Sequence, residues 1–259
     1  MSAQGADLSG LTDGRMFKKE KETMGQPLSD LRIINAETIQ TRIHTQLREL
    51  LMMGRFQPGH PLKIIELAEV FGTSSQPVRE SIRQLVTERA LEAAPNRSAR
   101  VPIMTLDRID DLRRVRLAME TLAAEMATER VTAKDIDRLQ GLLDAEKKAD
   151  DARDIPTSVQ LNMQFHFTLY AIAGSSTLMP FIESLWLQIG PAMRQSADSF
   201  DARDGRGTEL HLRIIEGLTQ RDKAAVSQAV TDDINRSFQL LVAEMGERGK
   251  QNLGSARTR

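Results

Sequence analysis

Between Phe71 and Val78 the chain reads Gly72-Thr-Ser-Ser-Gln-Pro77, and the segments on both sides have helical periodicity. Ile64 to Glu88 is therefore constrained to two short helices about a tight turn. On the first helix Ile64, Leu67, Ala68 and Phe71 share a face, with Glu66 and Glu69 turned away. Gly72 ends it, because glycine enters the left-handed region after a helix at little steric cost. Ser74 or Ser75 is placed to cap the second helix, and Pro77 suits its first turn, where the missing N–H has no intrahelical partner. That second helix buries Val78, Ile82, Leu85 and Val86, leaving Ser75, Gln76, Arg79, Glu80 and Arg83 on the opposite face. Short polar side chains and arginines at the start of such a helix are what a major-groove reader needs. The plainer alternative is a surface helix pair in an all-α protein.

The flanks favour the reader. Upstream, Ile39, Ile43, Leu47, Leu50 and Leu51 mark an amphipathic helix, separated from the pair by a loop rich in glycine and proline, Gly54 to Leu62. Downstream, Leu91 to Val101 forms two short arms about a Pro95-Asn96-Arg97-Ser98 tip, the pattern of a β-hairpin wing. Three helices and a basic-tipped hairpin make a winged helix-turn-helix. The series Gly54, Pro58-Gly59, Leu62, Leu67-Ala68, Gly72, Gln76-Pro77-Val78-Arg79-Glu80, Leu85 and Val101 resembles the N-terminal domain of GntR-family transcription regulators. The resemblance implies a double-stranded DNA partner and a DNA-binding domain over 31–103, with Ser74, Ser75, Gln76, Arg79, Arg83, Arg97 and Arg100 as its contact residues. In two places the chain departs from the family pattern. Serine at 75 replaces an arginine that commonly contacts guanine, and Ser98 replaces the usual wing-tip glycine. Operator preference should shift accordingly, since Gln76 can pair bidentately with adenine while a serine hydroxyl discriminates poorly.

Overall charge gives no hint of nucleic acid, at 35 Lys/Arg against 36 Asp/Glu. Its distribution does, because residues 31–103 carry ten Lys/Arg and seven Asp/Glu, a surplus of three. The absence of cysteine excludes disulfides, thiolate metal sites and cysteine nucleophiles. Apolar runs are far too short for a membrane span and the N-terminus lacks the apolar core of a secretory signal, so the expectation is a cytoplasmic protein with no membrane partner. Residues 1–30 and 251–259 read as disordered tails; Lys18-Lys19-Glu20-Lys21 is either solvated or weakly attracted to phosphate.

From Leu106 onward there is no strand pattern. Thr105 starts a long helix, expected to be well buried through Leu112, Val115, Leu117, Met119, Leu122, Ala123, Met126 and Ala127. A shorter one through Ile136, Leu139, Leu142 and Leu143 comes next, ahead of a polar link from Lys147 to Asp154. Further helices are expected at about 156–173, 176–197, 206–220 and 222–247. The fold class is thus mainly α: an N-terminal winged helix-turn-helix with a small β-hairpin, and a C-terminal antiparallel helical bundle over 104–250. Within that half, Arg116 and Glu120, Asn162-Met-Gln-Phe-His166, Ala173-Gly-Ser175 and Glu209-Leu-His211 with Arg221-Asp222 resemble the effector-binding FCD domain of the FadR subfamily of GntR regulators.

The resemblance implies a divalent-metal site built from an aspartate and three histidines. Asn162 falls at the aspartate position, His166 and His211 at two histidine positions, and Asp233 at the third. Two histidines, an aspartate and an amide suit Zn²⁺, Ni²⁺, Mn²⁺ or Fe²⁺ if water or effector takes the open positions. A metal-free polar pocket with hydrogen-bonded histidines is the competing reading. Arg116 matches a family arginine facing an effector carboxylate, and Arg194 is a second inward candidate; for both, a surface salt bridge is the alternative. Met163, Phe165, Phe167, Tyr170, Met179, Phe181, Trp186 and Met193 read mostly as core, a few as pocket wall.

The expected function is a ligand-responsive repressor, binding a pseudo-palindromic operator as a homodimer and controlled by a small carboxylate in the bundle. An architectural DNA binder whose bundle only dimerises is the main alternative. A metal-dependent enzyme is disfavoured, because no base, nucleophile and orienting group assemble around the two histidines.

Overall fold

In the computed structural model residues 38–94, 98–197 and 206–256 are described; the expected tail over 1–30 and the wing residue Arg97 lie outside them. The reader comprises α1 (Ile39–Met52), β1 (Pro61–Leu62), α2 (Ile64–Val70), α3 (Ser75–Thr87), β2 (Glu92–Ala94) and β3 (Ser98–Arg100). Helix α2 ends at Gly72, whose φ of 61° is the left-handed conformation expected of it. Ser74 is the N-cap residue of α3, but its side chain makes no capping bond and stays exposed. The hairpin wing forms, and a strand not expected from sequence joins it: the order is β1-β3-β2, all antiparallel, with Pro61 opposite Arg100 and Leu62 opposite Ala99.

The bundle comprises α4 (Leu106–Arg130), α5 (Ala133–Asp151), α6 (Ile155–Ile172), α7 (Leu178–Ala197), α8 (Arg206–Gln220) and α9 (Lys223–Ala256). Thr105 caps α4 by accepting from Arg108 N, and Thr132 with Asp135 forms a full capping box on α5. Three contacts fix α4 and α9 as antiparallel neighbours: Lys223 with Glu129, Ser227 Oγ with Glu125 at 2.8 Å, and Arg113 with Asn235 at 2.9 Å. Arg221, at φ 53°, donates to the Thr128, Glu129 and Val131 carbonyls, satisfying the end of α4.

Four expectations need correction. The polar segment from Lys147 is helical through Asp151, because Glu146 and Ala149 continue the inward register of Leu139 and Leu143. The last helix does not stop near 247; it runs to Ala256, through most of the expected C-terminal tail. Val115 and Leu122 are 38% and 47% exposed, since α4 turns Leu112, Arg116, Glu120 and Ala123 inward instead. Phe181, read with the core aromatics, is exposed.

Two apolar cores result. The bundle core gathers Leu112, Leu139, Phe165, Ile182 and Phe238 among others. The reader core gathers Leu47, Leu51, Val78, Leu85 and Val101, and also Leu187, which belongs to α7 of the bundle and is fully buried. Reader and bundle therefore lie in one compact unit, Ile39–Arg259. Removing the Leu187 side chain should act on the reader although the residue is outside it: Leu187→Ala is expected to cost about 2–5 kcal/mol, measured by urea unfolding. If reader and bundle signals separate into two transitions, Leu187 is the cooperative link between them.

Candidate functional site

Two sites are built by this fold. The first is the outer face of α3. Ser74 and Gln76 are exposed at its start, Ser75 and Arg79 are partly exposed, and Arg83 lies one turn on, with 68% of its side chain exposed. Glu80 sits among them and accepts from both Gln76 Nε2 and Arg83 Nη1, each at 3.0 Å. Arg100 on β3 extends the face and is paired with Glu92 of β2 at 2.5 Å. Ser81 holds α3 on α1 by donating to the Gln40 carbonyl at 3.0 Å. Two hydroxyls, an amide and three arginines, on α3 and β3, can contact phosphates and base edges.

The second site lies inside the bundle. His166 on α6, His211 on α8 and Asp233 on α9 are all buried and converge. The two imidazole Nε2 atoms are 3.2 Å apart, and Asp233 Oδ2 is 3.2 Å from His166 Nε2. Asn162, one turn before His166, lines the same cavity. Behind these groups stand Glu146, Tyr170, Glu120 and Arg116, which the sequence alone does not link to the histidines. His211 Nδ1 is 2.9 Å from Glu146 Oε2, so that nitrogen carries the proton it donates. Tyr170 donates its hydroxyl to Glu120 at 2.6 Å, which leaves its oxygen to accept from His166 Nδ1 at 3.1 Å. Arg116 then clamps Glu120 in a bidentate pair at 2.5 and 3.1 Å. Arg116 is 4% exposed, so its salt bridge is a buried one, and its guanidinium lies 4.5 Å over the Trp186 ring.

These partners decide the electrostatics. Burial alone would depress the His211 imidazole, but the Glu146 carboxylate, with Asp233 and Asp150 beyond, outweighs it and raises the pKa. For Asp233, burial pushes the carboxyl up, but the hydrogen bond and charge of His166 hold it below the usual range. Burial and the Glu120 charge lift Tyr170 well above an ordinary phenol, which keeps it a donor. Each Nδ1 faces its own partner, Tyr170 for His166 and Glu146 for His211, so both Nε2 atoms point to one place beside the Asp233 carboxylate. A positive charge there, a proton or a metal ion, holds such an array together. The donor set, two imidazoles and a carboxylate with oriented outer partners, fits a divalent first-row metal.

The cavity beside these donors has a volume of about 130 Å³. Trp186, Met193 and Arg194 of α7 line it, and so does Met52, the last residue of α1. Arg116 and Arg194, the two arginines expected to face an effector, both line it. The signals for the missed residues were local: Tyr170 lies four positions after His166, Glu120 four after Arg116, and Glu146 is a charge within the apolar register of α5. Truncating Arg116 to alanine should cost about 3–5 kcal/mol by leaving the Glu120 carboxylate buried and unpaired. Replacing Arg116 by methionine together with Glu120→Gln should cost distinctly less in the same urea titration.

Both halves of the chain match known protein families. Residues 39–101 match the family described as bacterial regulatory proteins, gntR family, and residues 111–236 match the FCD domain. The HTH-type transcriptional regulator McbR of Escherichia coli K12 is 26% identical over 205 residues, covering 79% of this chain and 93% of that protein. A probable D-xylose utilization operon transcriptional repressor of Paenarthrobacter nicotinovorans is 23% identical over 199 residues, 75% of this chain and 87% of that protein. The solved structure of E. coli McbR/YncC superposes with a TM-score of 0.77 at 26% identity, over 81% of this chain and all of that one. A gntR-type regulator from Rhodococcus sp. RHA1 shares the fold at a TM-score of 0.65, with 20% identity over 79% of this chain and 97% of that one. Among the described residues no helix is long and apolar enough to cross a membrane. The chain thus joins a DNA-binding domain of the gntR family of bacterial regulatory proteins to an FCD domain, the make-up of a ligand-responsive, DNA-binding transcription regulator.

Proposed function

We propose that this regulator is a cytoplasmic, homodimeric repressor whose reader pair binds a pseudo-palindromic operator, and that a small organic acid controls it by joining a divalent metal at His166, His211 and Asp233. The convergence of two imidazole Nε2 atoms and a buried carboxylate oxygen beside a small cavity carries the reading. When bound, the metal supplies positive charge and open coordination positions for oxygen ligands. The chain's own groups do the rest. Glu146 and Tyr170 orient the imidazoles, Glu120 and Arg116 hold Tyr170, and Arg194 offers a guanidinium at the cavity wall. Asn162 is a neutral oxygen donor of the same cavity. On DNA, Arg79, Arg83, Arg97 and Arg100 neutralise phosphates while Gln76 with Ser74 and Ser75 tunes base preference.

Selection of bound sequences from random duplex DNA, repeated with chelator and with a panel of small acids, tests the whole reading. A short inverted repeat whose retention changes with one acid is the expected result; salt-sensitive retention without sequence preference would favour the architectural alternative. Arg79→Ala should weaken binding and reduce the slope of log affinity against log salt by about 1 if the contact is to phosphate.

Metal binding has its own signature. Zn²⁺ at about a hundred times its Kd should stabilise the folded chain by roughly 2.7 kcal/mol, an effect reversed by chelator and absent in His166→Ala and His211→Ala. Because the metal must displace a proton from protonated His211, whose pKa is raised, affinity should climb as pH rises through that pKa and fall below it. A thermal shift insensitive to both histidines would sink the metal assignment.

A further inference from the structure

The effector cavity is not closed by the bundle alone. One of its walls is Met52, at the end of the reader's first helix. That helix ends in a Schellman turn: Gly54 N donates to Leu51 O at 2.9 Å and Arg55 N to Leu50 O at 2.8 Å, with Gly54 at φ 61°. The turn is pressed against α7. A Cβ on Gly190 would come within 2.5 Å of Leu51 O and 2.6 Å of Met52 O, and one on Gly54 would overlap the stem of Arg194. Helix α7 thus presents Leu187, Gly190 and the Arg194 stem to the reader, while Trp186, Ile189 and Met193 line the cavity. Along α1 the contact continues to the recognition helix. Arg48 bridges Glu183 of α7 at 3.2 Å to Glu88 at the end of α3 at 2.8 Å, His44 bonds the same Glu88 at 2.9 Å, and Gln40 O accepts from Ser81. The cavity wall and α3 are thereby joined through one packed helix.

Resting on the metal-and-acid reading above, we infer that Met52 is an effector-contact residue contributed by the DNA reader, and that it sets both the size of acid the cavity accepts and how strongly binding is felt at α3. A methionine suits that position, since its flexible thioether adapts to ligands of different shape. An acid large enough to reach Met52 displaces it, and with it a helix docked directly on α3. A smaller acid binds the same donors and leaves the reader in place. Coupling of this kind is reciprocal, so operator DNA changes the affinity for the larger acid by the same factor.

The test uses the full chain with Zn²⁺ and the size-graded series acetate, malate and citrate. Trp186 is the only tryptophan and lines the cavity, so its emission reports occupancy, while anisotropy of a labelled duplex carrying the selected repeat reports the reader. In Met52→Ala the preference between malate and citrate should move toward the larger acid by roughly tenfold, and the effect of either acid on duplex affinity should shrink at least about threefold. Met52→Leu, which keeps the volume, should retain the wild-type response and so exclude a folding defect. If the wild type responds and Met52→Ala keeps the same ranking and the same effect on duplex affinity, the inference is overturned. If no acid changes Trp186 emission in the wild type, the metal-and-acid reading falls first and the role of Met52 falls with it.

Discussion

Everything in this molecule that could act at a distance depends on a close approach between two backbones. Gly190 of α7 lies against the Leu51 and Met52 carbonyls at the end of α1, at a separation that leaves no room for a methyl group. Because no side chain separates them, the reader is docked through main-chain atoms, and Leu187 three residues earlier completes the reader's own core. Interdomain contacts within a chain are commonly polar and yielding. This one is a shared core with a tight seam, and the bundle cavity lies beside it.

The polar chain inside the bundle has a different task. Arg116, Glu120, Tyr170 and His166 form a line in which each group fixes the proton of the next, and Glu146 does the same for His211. Buried networks of this type are costly when half satisfied and rigid when complete. Here the line ends on the two Nε2 atoms and the Asp233 carboxylate, whose mutual orientation it fixes. The converging donors are thus held in place by hydrogen-bonded groups behind them.

How much of this was legible in the sequence depends on the range of the signals. The reader could be read almost whole, because Gly72 and Pro77 act locally and their neighbours repeat at helical spacing. The third strand could not, since Pro61 and Leu62 make a strand only by pairing with Arg100 and Ala99, nearly forty residues away. In the bundle, His166, His211 and Asp233 were placed through resemblance, and the structure brings all three together. Glu146 was missed for a physical reason: a glutamate near a run of lysines and aspartates looks solvated until another helix is seen to offer it a histidine. Met52 carried no signal at all, being an ordinary apolar residue at the end of an amphipathic helix.

The pairing of charges on the reading face affects how the protein searches. Glu80 occupies both Gln76 and Arg83, and Glu92 occupies Arg100, so part of the positive surface is already compensated before DNA arrives. A duplex of arbitrary sequence must exchange those internal partners for phosphates and gains little by doing so. Retention on bulk duplex should be correspondingly weaker than that of a face with uncompensated arginines. The acidic residues among the arginines thus shorten the time lost on wrong sites, at the expense of contact strength on the right one.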